Sequence, residues 1–250
     1  MWPAVDPAAA SRAAHEGLPL MNPLSVAALD EAIAVLSLPA GARIVEIGCG
    51  DAAILRRIAA ASRAGRALGI DLDAELIERG RAEAERLGVD VELRTGDARE
   101  LSERGFDLAV CVASTHALGG FPAALAALHE LVRPGGQVLL GEGYWRSEPS
   151  AEYLEALGGA SADELPERAG LIAAAEAAGL VPLHSVDASR ADWDRYEWGL
   201  ILNAERWAAR HPDDEGADLL RDRARSARAR VTMPGGRETL GFALLLLERR

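Results

Sequence analysis

Hydrophobic positions follow two different periods between about residues 40 and 145. Short apolar runs, typical of buried strands, alternate with longer stretches in which apolar residues recur every three or four positions, as in amphipathic helices. The runs predict strands at 43–47, 67–70, 89–94, 106–112 and 137–141. The stretches predict helices at 52–61, 74–87 and 123–131. This alternation predicts an α/β fold in which right-handed crossovers build a parallel sheet with helices on both faces.

The pattern changes on either side of this region. Upstream, Ser25 is placed to cap a helix that runs to about Leu36, and the residues before Pro23 are expected to be loosely ordered. Downstream, a segment rich in glycine, proline and acidic residues carries a short predicted helix around Tyr153. The remaining predicted elements are a helix at 169–178, a strand at 181–186, helices at 192–210 and 214–230, and a strand at 239–247.

We interpret residues 1–250 as a single domain. The core is expected at about 40–145. The rest is expected to form a helical cap from segments at about 1–36, 147–166 and 188–236. Ligands of open parallel sheets bind beyond the carboxyl ends of the strands, and the two later segments leave from such ends.

Charge and composition exclude several classes of protein. The formal net charge of −12 argues against a nucleic-acid partner, because phosphate binding needs clustered positive charge. The sequence contains no lysine, which excludes pyridoxal enzymes that use a Schiff-base lysine and P-loop nucleoside triphosphatases. The two cysteines have no metal-ligand spacing, so no metal site is predicted. The longest late apolar run, 242–247, is too short to cross a bilayer, and the N-terminal residues lack a signal-peptide pattern, so a cytoplasmic location is expected.

The segment Val-Glu-Ile-Gly-Cys-Gly-Asp-Ala at 45–52 is the most informative part of the sequence. It ends a predicted strand, turns on Gly48 and Gly50 and enters a helix, so backbone amides face a ligand that the glycines allow to approach closely. The spacing to Ala53 also fits a dinucleotide-binding fingerprint. Glu46 argues against a dinucleotide, because its carboxylate would repel the diphosphate. A carboxylate in a buried strand needs a cationic partner, so Glu46 favours a ligand with a positively charged group.

Two further acidic residues follow the next strands. Asp71 ends the second strand, where a carboxylate can accept both hydroxyls of a ribose, although it could instead cap the following helix. Asp97, in Thr-Gly-Asp-Ala, could accept from an adenine amino group or form an ordinary turn.

These motifs together resemble class I S-adenosylmethionine-dependent methyltransferases. The resemblance rests on VEIGCGD, GIDLD, TGDA, FDLAVCVAS and LVRPGGQVLLGE, which span about residues 40–145. It implies a Rossmann-like seven-stranded sheet whose last strand is antiparallel, and S-adenosylmethionine as cofactor. The candidate cofactor-binding residues are Glu46, Gly48, Cys49, Gly50, Asp51, Asp71, Leu72, Asp97, Ala98 and Cys111. Ala52 departs from the family pattern, which has a glycine there. Asn-Pro-Leu at 22–24, the run at 141–146 and the run at 192–197 extend the resemblance to an uncharacterised bacterial subgroup.

Candidate catalytic residues are harder to identify, because methyl transfer mainly requires alignment of the acceptor with the sulfonium. His116 follows the fourth strand and could act as a general base or simply bond to backbone. Glu142 could orient a substrate or pair with Arg146. Tyr144, directly after a strand, is preferred to Trp193 and Tyr196, whose helical spacing is typical of packing within the cap.

The resulting prediction is transfer of a methyl group to a small-molecule acceptor. Two alternatives stay open: a nicotinamide-dependent oxidoreductase, and a non-catalytic protein that binds S-adenosylmethionine. The sequence does not indicate the acceptor atom or the oligomeric state.

Overall fold

The computed structural model describes residues 6–250 and contains a seven-stranded sheet in the order β3-β2-β1-β4-β5-β7-β6. The strands are β1 Arg43–Ile47, β2 Arg66–Asp71, β3 Glu92–Thr95, β4 Phe106–Val112, β5 Val132–Trp145, β6 Leu180–Asp187 and β7 Leu240–Arg249. The first five pair in parallel, and β7 is antiparallel to both β5 and β6. The Rossmann-like α/β prediction, including the reversed last strand, is confirmed.

Helices cover both faces of the sheet. They are α1 Pro7–Ala14, α2 Val26–Ala34, α3 Ala53–Ser62, α4 Ala74–Leu87, α5 Phe121–Leu131, α6 Ala151–Ala156, α7 Arg168–Ala177, α8 Arg190–Arg210, α9 Gly216–Thr232 and α10 Gly236–Thr239. Short 3-10 turns lie at Ala98–Glu100 and Thr115–Leu118. Because successive strand residues point to opposite faces, Ile44 joins the core beneath α2 and α3, whereas Val45 joins the core beneath α5 and α7.

The N-terminal segment is helical, so the expectation of a loosely ordered start is wrong for the described residues. Asp6 caps α1 by accepting a hydrogen bond from the Ala8 amide, and Pro7 occupies the first helical position, where its missing N–H costs nothing. Ala10 and Ala14 are buried in a third hydrophobic cluster with α8 and α9. This packing, together with the cap, holds α1 in place.

Strand β3 begins later than predicted, at Glu92 rather than Val89. Val89 instead follows the end of α4, where its amide donates to Ala84 O after Gly88 adopts a left-handed conformation.

Helix α8 is anchored by a buried ion cluster. The Glu197 carboxylate pairs with Arg230 of α9 at 3.3 Å and with Arg237 of α10. These buried ion pairs hold α8 against α9 and α10, because separation of the helices would leave a buried charge without its partner. Within residues 6–250, no helix has the length and apolar character of a membrane span.

Candidate functional site

A cavity of about 400 Å³ lies at the carboxyl ends of β1, β2 and β4. We call it the central cavity. Its sheet side is formed by Glu46, Gly48, Cys49, Gly50, Asp51, Asp71, Val112, Ala113, Ser114 and His116. The structure therefore brings most of the predicted site residues together at the edge of the sheet where parallel α/β folds bind ligands.

The glycine turn leaves little room for a side chain at Gly48 or Gly50. Gly48 has φ +62°, and a Cβ there would lie 2.5 Å from the Cβ of Ser114. Gly50 has φ +55°, and a Cβ there would lie 3.3 Å from the Met21 sulfur. Ala52, which replaces the family's glycine, also has a left-handed backbone, with φ 60°, and is fully buried at the start of α3. The turn keeps the glycine geometry with alanine at this third position, where L residues are strained.

Glu46 is almost completely buried in the strand that leads into this turn. Its Oε2 accepts a hydrogen bond of 3.0 Å from the Leu55 amide, and no ion pair involves it among residues 6–250. Burial raises the pKa of Glu46 well above its ordinary value, and the nearby charges of Asp51 and Asp71 raise it further. A cation beside this carboxyl group would instead lower the pKa of Glu46.

Asp71 connects the ends of two strands. Its Oδ2 accepts from the Gly50 amide at 2.7 Å, and its Oδ1 accepts from the Asp73 amide at 2.9 Å. Asp73, not Asp71, caps α4, since its carboxylate accepts from the amides of Glu75 and Leu76. Asp71 is therefore free to face the cavity.

A second cavity, of about 250 Å³, adjoins the first and shares Gly48, Asp71 and His116 with it. We call it the flanking cavity. It contains the predicted residues Leu72, Asp97 and Ala98. The Leu72 side chain is 70% exposed. Asp97 caps a 3-10 turn and forms an ion pair with Arg99, which lowers the pKa of Asp97 to about 2.

The candidate catalytic residues have different surroundings. His116 lines both cavities. Glu142 lines neither cavity and accepts a hydrogen bond of 2.6 Å from the Thr115 hydroxyl, rather than pairing with Arg146. Burial raises the pKa of Glu142.

Like Glu142, two further predicted residues lie away from the cavities. Tyr144 is buried in the core beneath α5 and α7, and its hydroxyl donates to Asp187 at 3.2 Å. Cys111 is fully buried in the same core, with its sulfur 3.4 Å from the Ser114 hydroxyl. The position of Cys111 follows from the alternation of side chains along β4, because Val112 points to the face of the sheet opposite that of Cys111.

The sequence interpretation placed cap segments at about 1–36 and 188–236 but did not name the residues of the wall opposite the sheet as site residues. This wall consists of Ser11, His15, Leu20, Met21, Asn22 and Tyr196. The Asp-Pro pair at 6–7 is a helix-start signal that could have placed α1, but nothing local shows that α1 packs near the glycine turn. Helical spacing made Tyr196 look like a packing residue, whereas its ring lies on the cavity.

Comparison with known proteins gives matches to a methyltransferase family model, to a bacterial relative and to that relative's crystal structure. Residues 44–136 match the family described as "Methyltransferase domain". The chain is 31% identical over 220 residues to the uncharacterised protein YjhP of Escherichia coli, covering 86% of this chain and 88% of that one. The crystal structure of YjhP superposes with a TM-score of 0.87, covering 96% and 99% of the two chains at 30% identity.

Two further matches describe activities. An S-adenosylmethionine-dependent methyltransferase from Geobacter sulfurreducens, crystallised with S-adenosylhomocysteine, has a TM-score of 0.88 and 29% identity over 99% of this chain and all of that one. A ubiquinone biosynthesis O-methyltransferase of Pseudomonas aeruginosa is 31% identical over 123 residues, which are 48% of this chain and 50% of that one. These matches support methyl transfer over the nicotinamide alternative.

Proposed function

Because this chain belongs to the class I S-adenosylmethionine-dependent methyltransferase family, we propose that the central and flanking cavities together hold S-adenosylmethionine in one defined pose. The methionine end lies at Glu46 and the glycine turn, the ribose at Asp71, and the adenine in the flanking cavity. The chain is a methyltransferase that uses this cofactor; the residue roles are our proposal.

The observation that carries the proposal is the buried Glu46 carboxyl group. A carboxylate taken out of water is costly unless a cation compensates it. The amino group of the methionine moiety is such a cation. The backbone conformations of Gly48 and Gly50 let this amino group come close to the turn. Cys49 and Asp51 complete this part of the site, where Asp51 is held by Arg79 at 3.1 Å.

The ribose position follows from the unused bonding capacity of Asp71. A carboxylate can accept about four hydrogen bonds, and the amides of Gly50 and Asp73 supply two. The two remaining positions suit the vicinal hydroxyls of a ribose. One face of the adenine then packs on Leu72 and Ala98, with Asp97 near its amino group.

The cofactor supplies an electrophilic methyl group on a sulfonium, so the chain mainly has to orient the acceptor and exclude water. His116 lies where the two cavities meet and is proposed to contact the reacting groups. Glu142 is proposed to position the 115–118 turn, and therefore His116, through Thr115. Cys111 and Tyr144 are left out of the proposed site because both are buried away from the cavities.

The acceptor is proposed to be a small molecule that reaches the methyl group beneath a cap. Helix α1, the 147–166 segment and the 188–236 segment supply this cap, in the single domain expected from the sequence. The Pseudomonas relative is named as an O-methyltransferase, but its match covers only 48% of this chain. The net charge of −12 disfavours nucleic acid as the acceptor. The cytoplasm is the proposed location.

Titration calorimetry with S-adenosylhomocysteine tests the cofactor site. Micromolar or tighter binding is expected for the native chain, and Glu46→Gln and Asp71→Asn should each weaken it. NAD and NADP, titrated in parallel, should give no comparable heat. Binding of a dinucleotide instead, or unchanged affinity in both variants, would contradict the proposal.

A further inference from the structure

The wall of the central cavity opposite the sheet carries two side chains that are hydrogen-bonded to each other. His15 directly follows the last residue of α1, and Tyr196 lies on α8. Both residues line the central cavity. Their rings are 5.8 Å apart, and His15 Nε2 lies 2.9 Å from the Tyr196 hydroxyl oxygen. Neither residue belongs to the proposed cofactor contacts.

The hydrogen bonds around His15 define its tautomer. His15 Nδ1 lies 2.8 Å from the Ser11 carbonyl oxygen, which can only accept, so Nδ1 carries the hydrogen. In the neutral ring, Nε2 is then an acceptor, and the Tyr196 hydroxyl donates to it. The phenolic oxygen keeps a lone pair for a further donor, and the ring nitrogen behind it is ready to receive a proton.

The surroundings favour the uncharged form of both groups. Burial lowers the pKa of His15, and the charges of Arg79 on α4 and Arg223 on α9 lower it further, against the opposing effect of the Ser11 carbonyl. Burial also raises the pKa of Tyr196. A base of this kind is weak, so it can assist a weakly acidic donor such as a phenol or enol much better than an aliphatic alcohol.

An adjoining cavity of about 370 Å³ between α1, α8 and α9 gives an acceptor room beyond this pair. It shares Ser11 and His15 with the central cavity. Much of its lining is apolar and comes from Ala14, Leu157, Leu200, Ile201 and Ala204. An apolar molecular body could rest there while its hydroxyl group reaches Tyr196.

We propose that Tyr196 and His15 form a proton relay that serves a phenol- or enol-type methyl acceptor bound in these two cavities; this rests on the proposed function. The acceptor oxygen forms the new bond to the methyl carbon as the carbon–sulfur bond breaks, and that electron pair returns to sulfur. The acceptor proton moves to the Tyr196 oxygen while the tyrosine proton moves to His15 Nε2. The imidazolium then releases the proton to solvent after product formation.

The test measures S-adenosylhomocysteine formation from S-adenosylmethionine with a series of 4-substituted phenols, compared with aliphatic alcohols, primary amines and thiols. Native enzyme is expected to methylate phenols preferentially. Tyr196→Phe and His15→Gln should each lower kcat/KM by about 100-fold or more. The affinity of each variant for S-adenosylhomocysteine, measured by titration calorimetry, should change by less than about threefold. Tyr153→Phe, a buried tyrosine on α6 outside both cavities, is the matched control and should retain activity.

The pH profile separates a relay from a merely structural role. The native kcat/KM should rise with pH through a group whose pKa lies below that of an ordinary histidine, and His15→Gln should remove that limb. Retention of the limb in His15→Gln, its loss in His116→Ala instead, or turnover confined to alcohols, amines or thiols would overturn the proposal. So would absence of phenol turnover in protein that binds S-adenosylhomocysteine. Failure to bind S-adenosylhomocysteine at all would instead contradict the proposed function itself.

Discussion

The Asp71 carboxylate accepts a 2.7 Å hydrogen bond from the Gly50 amide, so the acidic residue at the end of β2 holds the glycine turn at the end of β1. Its other oxygen accepts from the Asp73 amide at 2.9 Å. One side chain thus fixes the turn proposed to bind the methionine end and also presents the acceptors proposed to bind the ribose. Cofactor affinity and local order are coupled at this residue.

Asp71→Asn and Asp71→Ala should therefore differ. Asparagine keeps one acceptor oxygen and the side-chain shape, so it should weaken S-adenosylhomocysteine binding by about 10-fold, equivalent to about 1.4 kcal/mol. Alanine leaves the Gly50 amide without its partner and should weaken binding further, while also lowering the free energy of unfolding by about 1–3 kcal/mol. Calorimetry and denaturant unfolding measure the two quantities. Equal affinity in all three proteins would refute the ribose assignment.

Glu46→Gln should stabilise the free protein at high pH while weakening cofactor binding. The pKa of Glu46 is raised by burial, so the folded state keeps a proton that the unfolded state releases above the ordinary glutamate pKa. The free energy of unfolding of the native chain should therefore fall as pH rises from that value towards the folded pKa, and the glutamine variant should lack this component. Thermal unfolding from about pH 5 to pH 8 compares the slopes. Parallel curves would show that Glu46 is not protonated in the free protein.

The same residue predicts proton release on cofactor binding. Where Glu46 is protonated in the free protein, the arriving ammonium should favour its carboxylate form and expel a proton. The enthalpy of S-adenosylhomocysteine binding should then depend on the ionisation enthalpy of the buffer, and Glu46→Gln should reduce that dependence. Identical buffer dependence in the two proteins would place the ammonium elsewhere.

Gly48→Ala tests the tight turn. An added Cβ would lie 2.5 Å from Ser114 Cβ, and φ +62° disfavours any L side chain. Gly105→Ala is a matched control, because Gly105 also has a positive φ, +76°, but has only the Arg43 guanidinium within 4 Å. The control should lose about 1–2 kcal/mol from backbone strain alone, whereas Gly48→Ala should lose more and should also bind S-adenosylhomocysteine at least about 10-fold more weakly. Equal losses of stability and unaltered binding would show that the turn relaxes.

Arg12→Ala tests how α1 is held over the site. The Arg12 guanidinium contacts Asp73 at 2.7 Å and Glu75 at 2.7 Å, so it ties α1 to the start of α4 beside Asp71. Loss of these partly exposed ion pairs should cost only about 0.5–1 kcal/mol of global stability. Amide hydrogen exchange in α1 should nevertheless become faster. Arg57→Ala, which removes the exposed pair with Asp30, is the control and should leave exchange in α1 unchanged.

Sequence periodicity was sufficient to predict an α/β sheet, because most of its strands are short apolar runs that alternate with helical repeats, whereas the reversed last strand was implied by the family resemblance. Strand β3 is the exception, since only Leu93 of its four residues is buried and its start was predicted too early. The residues proposed to bind the cofactor could also be selected from the sequence, since they lie in contiguous motifs at strand ends, and most of them line the central cavity. Cys111 shows the limit of this approach: a one-residue change of register in β4 moves a side chain to the opposite face of the sheet. Val112, not Cys111, lines the cavity.

The pair of residues proposed to serve the acceptor could not be predicted, because its arrangement depends on contacts between distant parts of the chain. His15 and Tyr196 are 181 residues apart and meet only after α1 packs on α8 and α9. The preference for Tyr144 over Tyr196 followed strand proximity, but Tyr144 is directed by the strand period into the core, where its hydroxyl bonds to Asp187. Tertiary packing decided both cases.

A crystal structure of the chain with S-adenosylhomocysteine tests the central claim most directly, through the distance between the ligand's ammonium nitrogen and the Glu46 carboxylate. We expect that distance to be about 3 Å, with both ribose hydroxyls on Asp71 and the adenine beside Leu72. A ligand whose ammonium lies away from Glu46, or whose ribose does not contact Asp71, would contradict the account.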